Sequence, residues 1–377
     1  MRDDEQYLGQ SPLYPLSKYV KELRPKLSPD AFKPSKSRLA WIPFHLAVIV
    51  MATLAVAGSW VPWFVVPALS LAIGVSFACL TFVAHEALHG GIVRNKRAKY
   101  LVGWIGFLPF LVSPRLWMAW HDRVHHANAN LPDDPDMYPS LAKYNANKQV
   151  RVFVDLFSLG CRRWRGGLSL ILGFTVQHGH QLLGATTKGF LSVRERRFAI
   201  AESMLGVAVW ATVAVLVGFL PFLFVFVLPL AVGNIIIMSF ILTNHSLSPL
   251  TKINDPLMTG LSVTSSRFVE WITLRFGFHV EHHLFPAMSS RHAPEVRSLV
   301  RARWPERYQS MPLVKALGEL HRTARVYKDS VTLIDPRTGA EFPTLMPTAA
   351  ASLQVELLQP HGGEVEEGLR CASGRAG

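Results

Sequence analysis

The chain has 377 residues, half of them hydrophobic and only 17% charged, with a formal net charge of +13. Its mean hydropathy is positive, which argues against a pair of ordinary soluble domains and for one membrane-embedded unit. The basic residues alternate with long apolar runs and come with no nucleic-acid motif, so they read as positive loops beside anionic lipid.

Residues 1–38 are polar and rich in Pro, Lys and Ser. No apolar stretch follows the first charges closely, so this segment reads as a cytoplasmic arm, with a short helix over Leu16–Leu23, and not as a secretory leader. Ala40–Trp60 is the first candidate span, long enough at about 1.5 Å per residue to cross a hydrocarbon core of about 30 Å. His45 near its start reads as a packed or interfacial histidine. A tight turn with Trp60 and Trp63 follows, and Pro67–Ala84 returns across the membrane to deliver His85.

Between Glu86 and Arg197 the chain is strongly basic. Tyr100–Val112 is apolar but too short to span, which suggests an interfacial or re-entrant helix, and Leu168–Val176 is expected to lie on the membrane surface. Phe198–Leu220 and Phe222–Thr243 form a second hairpin broken at Pro221. Both hairpin turns lack charge, so the Lys and Arg residues fall on the opposite side, which the positive-inside rule assigns to the cytoplasm. The expected fold class is therefore an all-α integral membrane protein. It has four transmembrane helices in two hairpins, interfacial helices, and a cytoplasmic histidine-rich cap, with both termini inside.

After Ala287 the chain turns basic and partly helical, and Arg291 and Arg297 read as ordinary positive-inside charge. The expected organisation is an arm at 1–38, a membrane domain at 39–329 and a disordered tail at 330–377. Cys79, Cys161 and Cys371 show no Cys-x-x-Cys spacing and read as reduced thiols.

The histidines carry the chemistry. His85 and His89 stand one helical turn apart, a spacing that can hold one metal ion. His121 and His125 repeat it, with His126 turned about 100° away toward a second ion. His279, His282 and His283 offer a similar split, and His245, at the end of the fourth span, is a candidate ninth ligand. The expected topology puts all of them on one face. Eight box histidines exceed what one tetrahedral site uses, so two metals are the economical reading. Imidazole suits Fe, Zn, Cu or Ni, and ligand type leaves the metal open. Glu86, Asp122 and Glu281, inside the boxes, are candidate acceptors for the outer imidazole N–H groups. Asn244 is a candidate for holding a metal-bound water. The acidic run Asp133–Asp136 reads as a turn, and His178, His180, His321 and His361 fall outside the site.

His85-Glu86-Ala87-Leu88-His89, His121-Asp122-Arg123-Val124-His125-His126 and His279-Val280-Glu281-His282-His283-Leu284-Phe285-Pro286 together resemble the three histidine boxes of integral-membrane fatty acid desaturases. The resemblance covers Ala40–Tyr327 and includes the paired hairpins and the order of the boxes. It implies a non-haem di-iron centre at the cytoplasmic face, with the eight box histidines and His245 as ligands. It also implies O2 as co-substrate, a fatty acyl lipid as substrate, and electrons from an external ferredoxin or cytochrome b5. Front-end desaturases usually begin the third box with Gln, where His279 stands here. Many also carry a His-Pro-Gly-Gly motif, which these residues lack. The expectation is therefore an acyl-lipid desaturase of the non-front-end type.

The nearest alternative is hydroxylation or ketolation of a lipid, alkane or carotenoid at the same kind of site. A membrane metal transporter is more remote, because transport predicts ligands near the bilayer midplane and these cluster at span ends.

Overall fold

The computed structural model describes residues 7–9 and 11–347. The described residues are mostly helical, with short strands in the N-terminal arm and in the cap. Four helices are long and apolar enough to cross a membrane: Lys36–Ala57, Trp63–His89, Val193–Val217 and Phe219–His245. They occur as two hairpins, as the charge pattern implied.

The α-helical parts of the first hairpin are α1 (Trp41–Ala57) and α2 (Val66–His89). Pro67 sits in the first turn of α2, where its missing N–H costs nothing, and Gly90 ends the helix at φ 96°, a left-handed conformation that glycine adopts freely. His45 is buried in α1, with Nδ1 3.1 Å from the Ser76 hydroxyl and its ring stacked on Trp41.

Lys96–Phe110 and Pro114–Asn128 form a pair bent by 106°, so the apolar stretch too short to span turns back on itself. Gly106 lets it lie against α2: a methyl group there would collide with the Leu80 carbonyl, and Thr81 donates to the Gly106 carbonyl at 3.1 Å. Within the second half of the pair, Met118–His125 is wound as a π-helix.

The second hairpin starts with α3 (Val193–Val217). Its N-terminus is closed by a capping box, in which the Ser192 hydroxyl accepts from the Glu195 N–H and the Glu195 carboxylate accepts from the Ser192 N–H. The fourth span ends in α4 (Leu228–His245), which delivers His245.

Two expectations are corrected. The segment expected on the membrane surface as Leu168–Val176 belongs to an 18-residue helix, Gly167–Gly184. It packs against α4, where Asn234 accepts from the backbone N–H groups of Phe174 and Thr175. The polar residues Gln177, His178 and His180 interrupt its apolar pattern, although His178 is buried and accepts from the Ser113 N–H at 3.0 Å. The tail expected from residue 330 also begins too early: Thr332–Ile334 and Glu341–Pro343 pair in a three-stranded antiparallel sheet with Val326–Tyr327. Residues 348–377, the rest of that expected tail, lie outside the described residues, as does Cys371.

The N-terminal arm docks on the cap. Its helix, Leu16–Leu23, buries Tyr19 and Leu23 against Leu284, Phe285, Val296, Val300 and Trp304. The contact is pinned by Asp255, which accepts from the Tyr19 hydroxyl at 2.9 Å and from Arg307 at 2.6 Å. Breaking a buried pair of this kind costs about 3–5 kcal/mol, so the arm is an integral part of the cap.

Candidate metal centre

The nine histidines singled out from the sequence converge in one region, around the ends of the spans that deliver His85, His89 and His245. They fall into two groups of four. The ring nitrogens of His85, His89, His121 and His282 lie within 4.8 Å of one another, and so do those of His125, His245, His279 and His283. His126 stands between the groups, with Nε2 3.2 Å from Nε2 of His282 and its ring stacked 4.3 Å from that of His283.

Each element contributes for a local reason. The last turn of α2 places His85 and His89 on one face. The third box is a short helix, His279–Leu284, in which His279 and His283 share a face and His282 points to the other group. The chain enters this helix through left-handed residues Leu274 (φ 52°) and Arg275 (φ 60°). That conformation costs about 1–2 kcal/mol per non-glycine residue. It turns Phe276 onto His85, with ring centres 4.9 Å apart.

The division of the second box differs from the expected one. The rings of His121 and His125, 5.1 Å apart, fall in different groups of four, although with Asp136 they also form a third cluster of three, and His126 joins neither group of four. The π-helix is the physical reason. It carries more residues per turn than the α-helix implied by the spacing, which shifts where each ring points.

The outer nitrogens of several rings are tied to the protein. Nδ1 of His89 lies 2.7 Å from Asp122, Nδ1 of His125 lies 2.9 Å from Asp134, and Nδ1 of His245 lies 2.7 Å from the Thr259 carbonyl. A carbonyl or carboxylate can only accept, so these Nδ1 atoms carry a proton and Nε2 is the nitrogen that faces inward. His279 Nδ1 meets the Asn244 amide at 2.9 Å, while Asn244 Oδ1 has no partner. Turning that amide over lets Oδ1 accept from Nδ1 and frees Nε2 of His279. Asn244 therefore touches a ring nitrogen, where the sequence reading had it holding water.

The inward nitrogens lack partners. Nε2 of His85, His89 and His121 and Nδ1 of His126 are buried with no hydrogen bond. Each such orphan costs about 1–3 kcal/mol. In the second group, Nε2 of His245 faces Nε2 of His279 at 2.6 Å and Nε2 of His283 at 3.1 Å. Lone pairs that close repel unless a proton or a cation lies between them. Burial first, and then the neighbouring imidazoles, hold His279, His282 and His283 well below the ordinary histidine pKa. They are therefore neutral, the form that binds metal. Two nitrogens bound at about 2.1 Å to one ion lie at most about 4.2 Å apart. With one nitrogen of each ring already within 4.8 Å of the others, each group closes on an ion with shifts of a few tenths of an ångström. The donor set fits two metal ions.

The carboxylates sort themselves differently from the sequence reading. Glu86 accepts from Ser289 at 2.6 Å and pairs with Arg38, and Glu281 accepts from Ser262 at 2.6 Å and pairs with Arg297 at 2.8 Å. Among the described residues neither accepts from an imidazole. Both brace the box helices against the cap. Asp134, read as a turn residue, is both: it accepts from the backbone N–H of Asn130 and Asp136 as well as from His125. Asp136 accepts from Trp120 at 2.9 Å and Gln177 at 2.7 Å. Burial raises its carboxyl to about 6 against the pull of His125, with Asp134 adding to the rise.

A cavity of about 980 Å³ reaches this centre. Its buried end includes Phe82, Phe107, Phe174, Ile237 and Met238 beside His85, His121, His125, His245 and His279. That volume is at the upper end of small-molecule pockets.

These features define a membrane protein with two clusters of histidines, compatible with metal binding, beside the buried part of a large cavity. Residues 59–314 match the fatty acid desaturase family, and the chain belongs to it. Among similar curated proteins, the dihydrorhizobitoxine desaturase of Bradyrhizobium elkanii is 30% identical over 134 residues, 35% of this chain and 34% of that protein. The chloroplastic omega-6 fatty acid desaturase of Brassica napus is 28% identical over 93 residues, 22% of this chain and 21% of that one. The Arabidopsis thaliana protein of the same name is 30% identical over 70 residues, 19% of this chain and 15% of that one. The matches thus span about a third or less of these relatives.

Proposed function

We propose that the protein is an O2-dependent acyl-lipid desaturase with two non-haem irons, its histidine centre and both termini on the cytoplasmic side. The observation that supports this most is the juxtaposition of the two four-histidine groups with the apolar end of the cavity. His85, His89, His121 and His282 would hold one iron and His125, His245, His279 and His283 the other, with His126 between them. Iron so held would supply the oxidising power to convert –CH2–CH2– to –CH=CH–, the two hydrogens removed from the chain combining with O2, two electrons and two protons to give two water molecules. The electrons come from an external donor, a ferredoxin or a cytochrome b5.

The protein's own residues do the rest. Phe82, Phe107, Phe174, Ile237 and Met238 exclude water and take an aliphatic chain, which offers no polar handle, so the shape of the cavity decides which carbons approach the histidines. Asp122, Asp134 and the Thr259 carbonyl fix the imidazole tautomers so that Nε2 faces the site. Arg38 and Arg297 brace the carboxylates of the first and third boxes.

Expression in membranes of a host that lacks the protein, with fatty acids profiled by mass spectrometry beside a His282→Ala control, tests this reading. A new unsaturated species absent from the control supports it. New hydroxy or keto products would instead move the protein to the hydroxylase branch.

A further inference from the structure

Three protein groups hold Nδ1 in the group of His125, His245, His279 and His283. Asp134 and Asn244 do so with side chains, but the Thr259 carbonyl, 2.7 Å from His245, is backbone. Its position is therefore set by the chain around it. Thr259 closes the single helical turn Pro256–Thr259, and a lone turn is too short to be stable by itself. Asp255 supplies the missing support. Its carboxylate accepts from the Leu257 N–H at 3.2 Å, and its carbonyl accepts from the Thr259 N–H and hydroxyl, both at 3.0 Å.

That same carboxylate anchors the N-terminal arm. Besides the Tyr19 hydroxyl and Arg307, it accepts from the Tyr14 N–H at 2.7 Å. With the Leu257 N–H this puts four donors on two oxygens, which fills the acceptor sites of a carboxylate. Arg307 closes the node by donating to the Tyr19 hydroxyl at 3.2 Å and to the Pro12 carbonyl at 2.8 Å. Apolar packing runs the same way. Leu257 is buried in one cluster with Tyr19, Val280 and Leu284, so the turn is clamped between the arm and the third-box helix. The preceding residue is tied on both sides: the Leu16 N–H donates to the Asn254 carbonyl at 2.9 Å, and the Asn254 amide donates to the His126 carbonyl at 2.9 Å. An unbroken series of bonds thus joins the arm to His245 and to the second box.

We propose that Tyr19 and Arg307 are positioning residues for the second histidine group, acting through Asp255 and the Pro256–Thr259 turn to aim Nε2 of His245 at its metal ion. The arm thus helps hold that ion without touching it. Loss of the node frees the turn, the Thr259 carbonyl moves from Nδ1, and the His245 ring is no longer fixed in orientation or tautomer. The first group depends on the node less, because its tied ring, His89, is held by Asp122 within the second box. This rests on the reading of His125, His245, His279 and His283 as a metal site.

Cobalt(II) binding to the purified full-length protein tests the relay, with affinity read by competition with a calibrated chelator and ligand geometry by the visible cobalt absorption. His282→Ala leaves the second group to be measured, and His283→Ala leaves the first. In the His282→Ala background, Tyr19→Phe should weaken cobalt binding about tenfold and shift the cobalt band, and Arg307→Gln should weaken it further. In the His283→Ala background both substitutions should leave affinity and band unchanged. Arg307→Lys, which keeps a charge beside Asp255, should recover most of the second-group affinity. Should Arg307→Gln fail to fold, Tyr19→Phe, which keeps the buried ring, decides the matter alone. Equal weakening in the two backgrounds marks a general loss of fold and overturns the proposal. So does a second-group affinity that Tyr19→Phe and Arg307→Gln both leave intact. If cobalt binds in neither background before the arm is altered, the two-ion reading falls, and this inference falls with it.

Discussion

In the group of His125, His245, His279 and His283, three rings have Nδ1 held by a protein group: Asp134, the Thr259 carbonyl and the Asn244 amide. In the group of His85, His89, His121 and His282, His89 alone among the described residues is held this way, by Asp122. The first group is positioned by packing instead. Trp117 lies 5.2 Å from His85 and 4.5 Å from His121, and Phe276 covers the other side of His85. Packing restricts where a ring sits but does not fix which nitrogen carries the proton, whereas a carboxylate or carbonyl at Nδ1 does both. The two sites should therefore differ in how firmly they keep a metal.

That difference can be broken from either side. The largest effects come from the ligands themselves. His282→Ala and His283→Ala should each reduce product below detection and remove metal from their own group, as metal analysis and product profiling on the same preparations would read. Next come the acceptors. Asp134→Asn should weaken metal binding at the second group by about 10–100-fold, and Asp122→Asn should do so at the first, measured by competition with a calibrated chelator. If Asp134→Asn left both sites unchanged, the hydrogen-bonding account of the second group would fail. Chelation of the unmodified protein should be biphasic, with the packed group emptied before the hydrogen-bonded one. A single phase would remove the distinction. The smallest effect on the metals is expected from Met238→Trp, which fills the buried end of the cavity away from the tied imidazoles. Its metal content should match the wild type while its products shift toward shorter acyl chains, read by mass spectrometry.

The spans were legible because each is a long apolar run, and the hairpin pairing followed from uncharged turns at Gly58–Trp63 and Gly218–Pro221. The boxes were legible because histidines at short spacing are conspicuous in an apolar chain. Which ring belongs to which group was not, since that depends on the π-helix at Met118–His125, and no residue pattern there signals the change of winding. Nor was the role of Asp134, because a carboxylate in an Asp-Asp-Pro-Asp run looks like a turn former, and its second duty toward His125 arises only once the turn has formed. Glu86 and Glu281 misled in the opposite sense. Their place inside the boxes suggested imidazole partners, but on their helices they face Arg38 and Arg297, which come from distant segments. The helix Gly167–Gly184 was cut short in the reading by Gln177, His178 and His180. All three lie on the cavity wall or against the Ser113 turn, where a polar side chain has work that hydropathy does not register.

The most direct test of the central claim is the iron content of the purified full-length protein beside His282→Ala and His283→Ala. Two separate histidine groups predict roughly two irons per chain in the unmodified protein and roughly one in each variant. The iron that remains should differ in its spectroscopic signature between the two variants. No bound iron in the unmodified protein, or complete loss of iron from both variants alike, would contradict a centre built from two independently held ions.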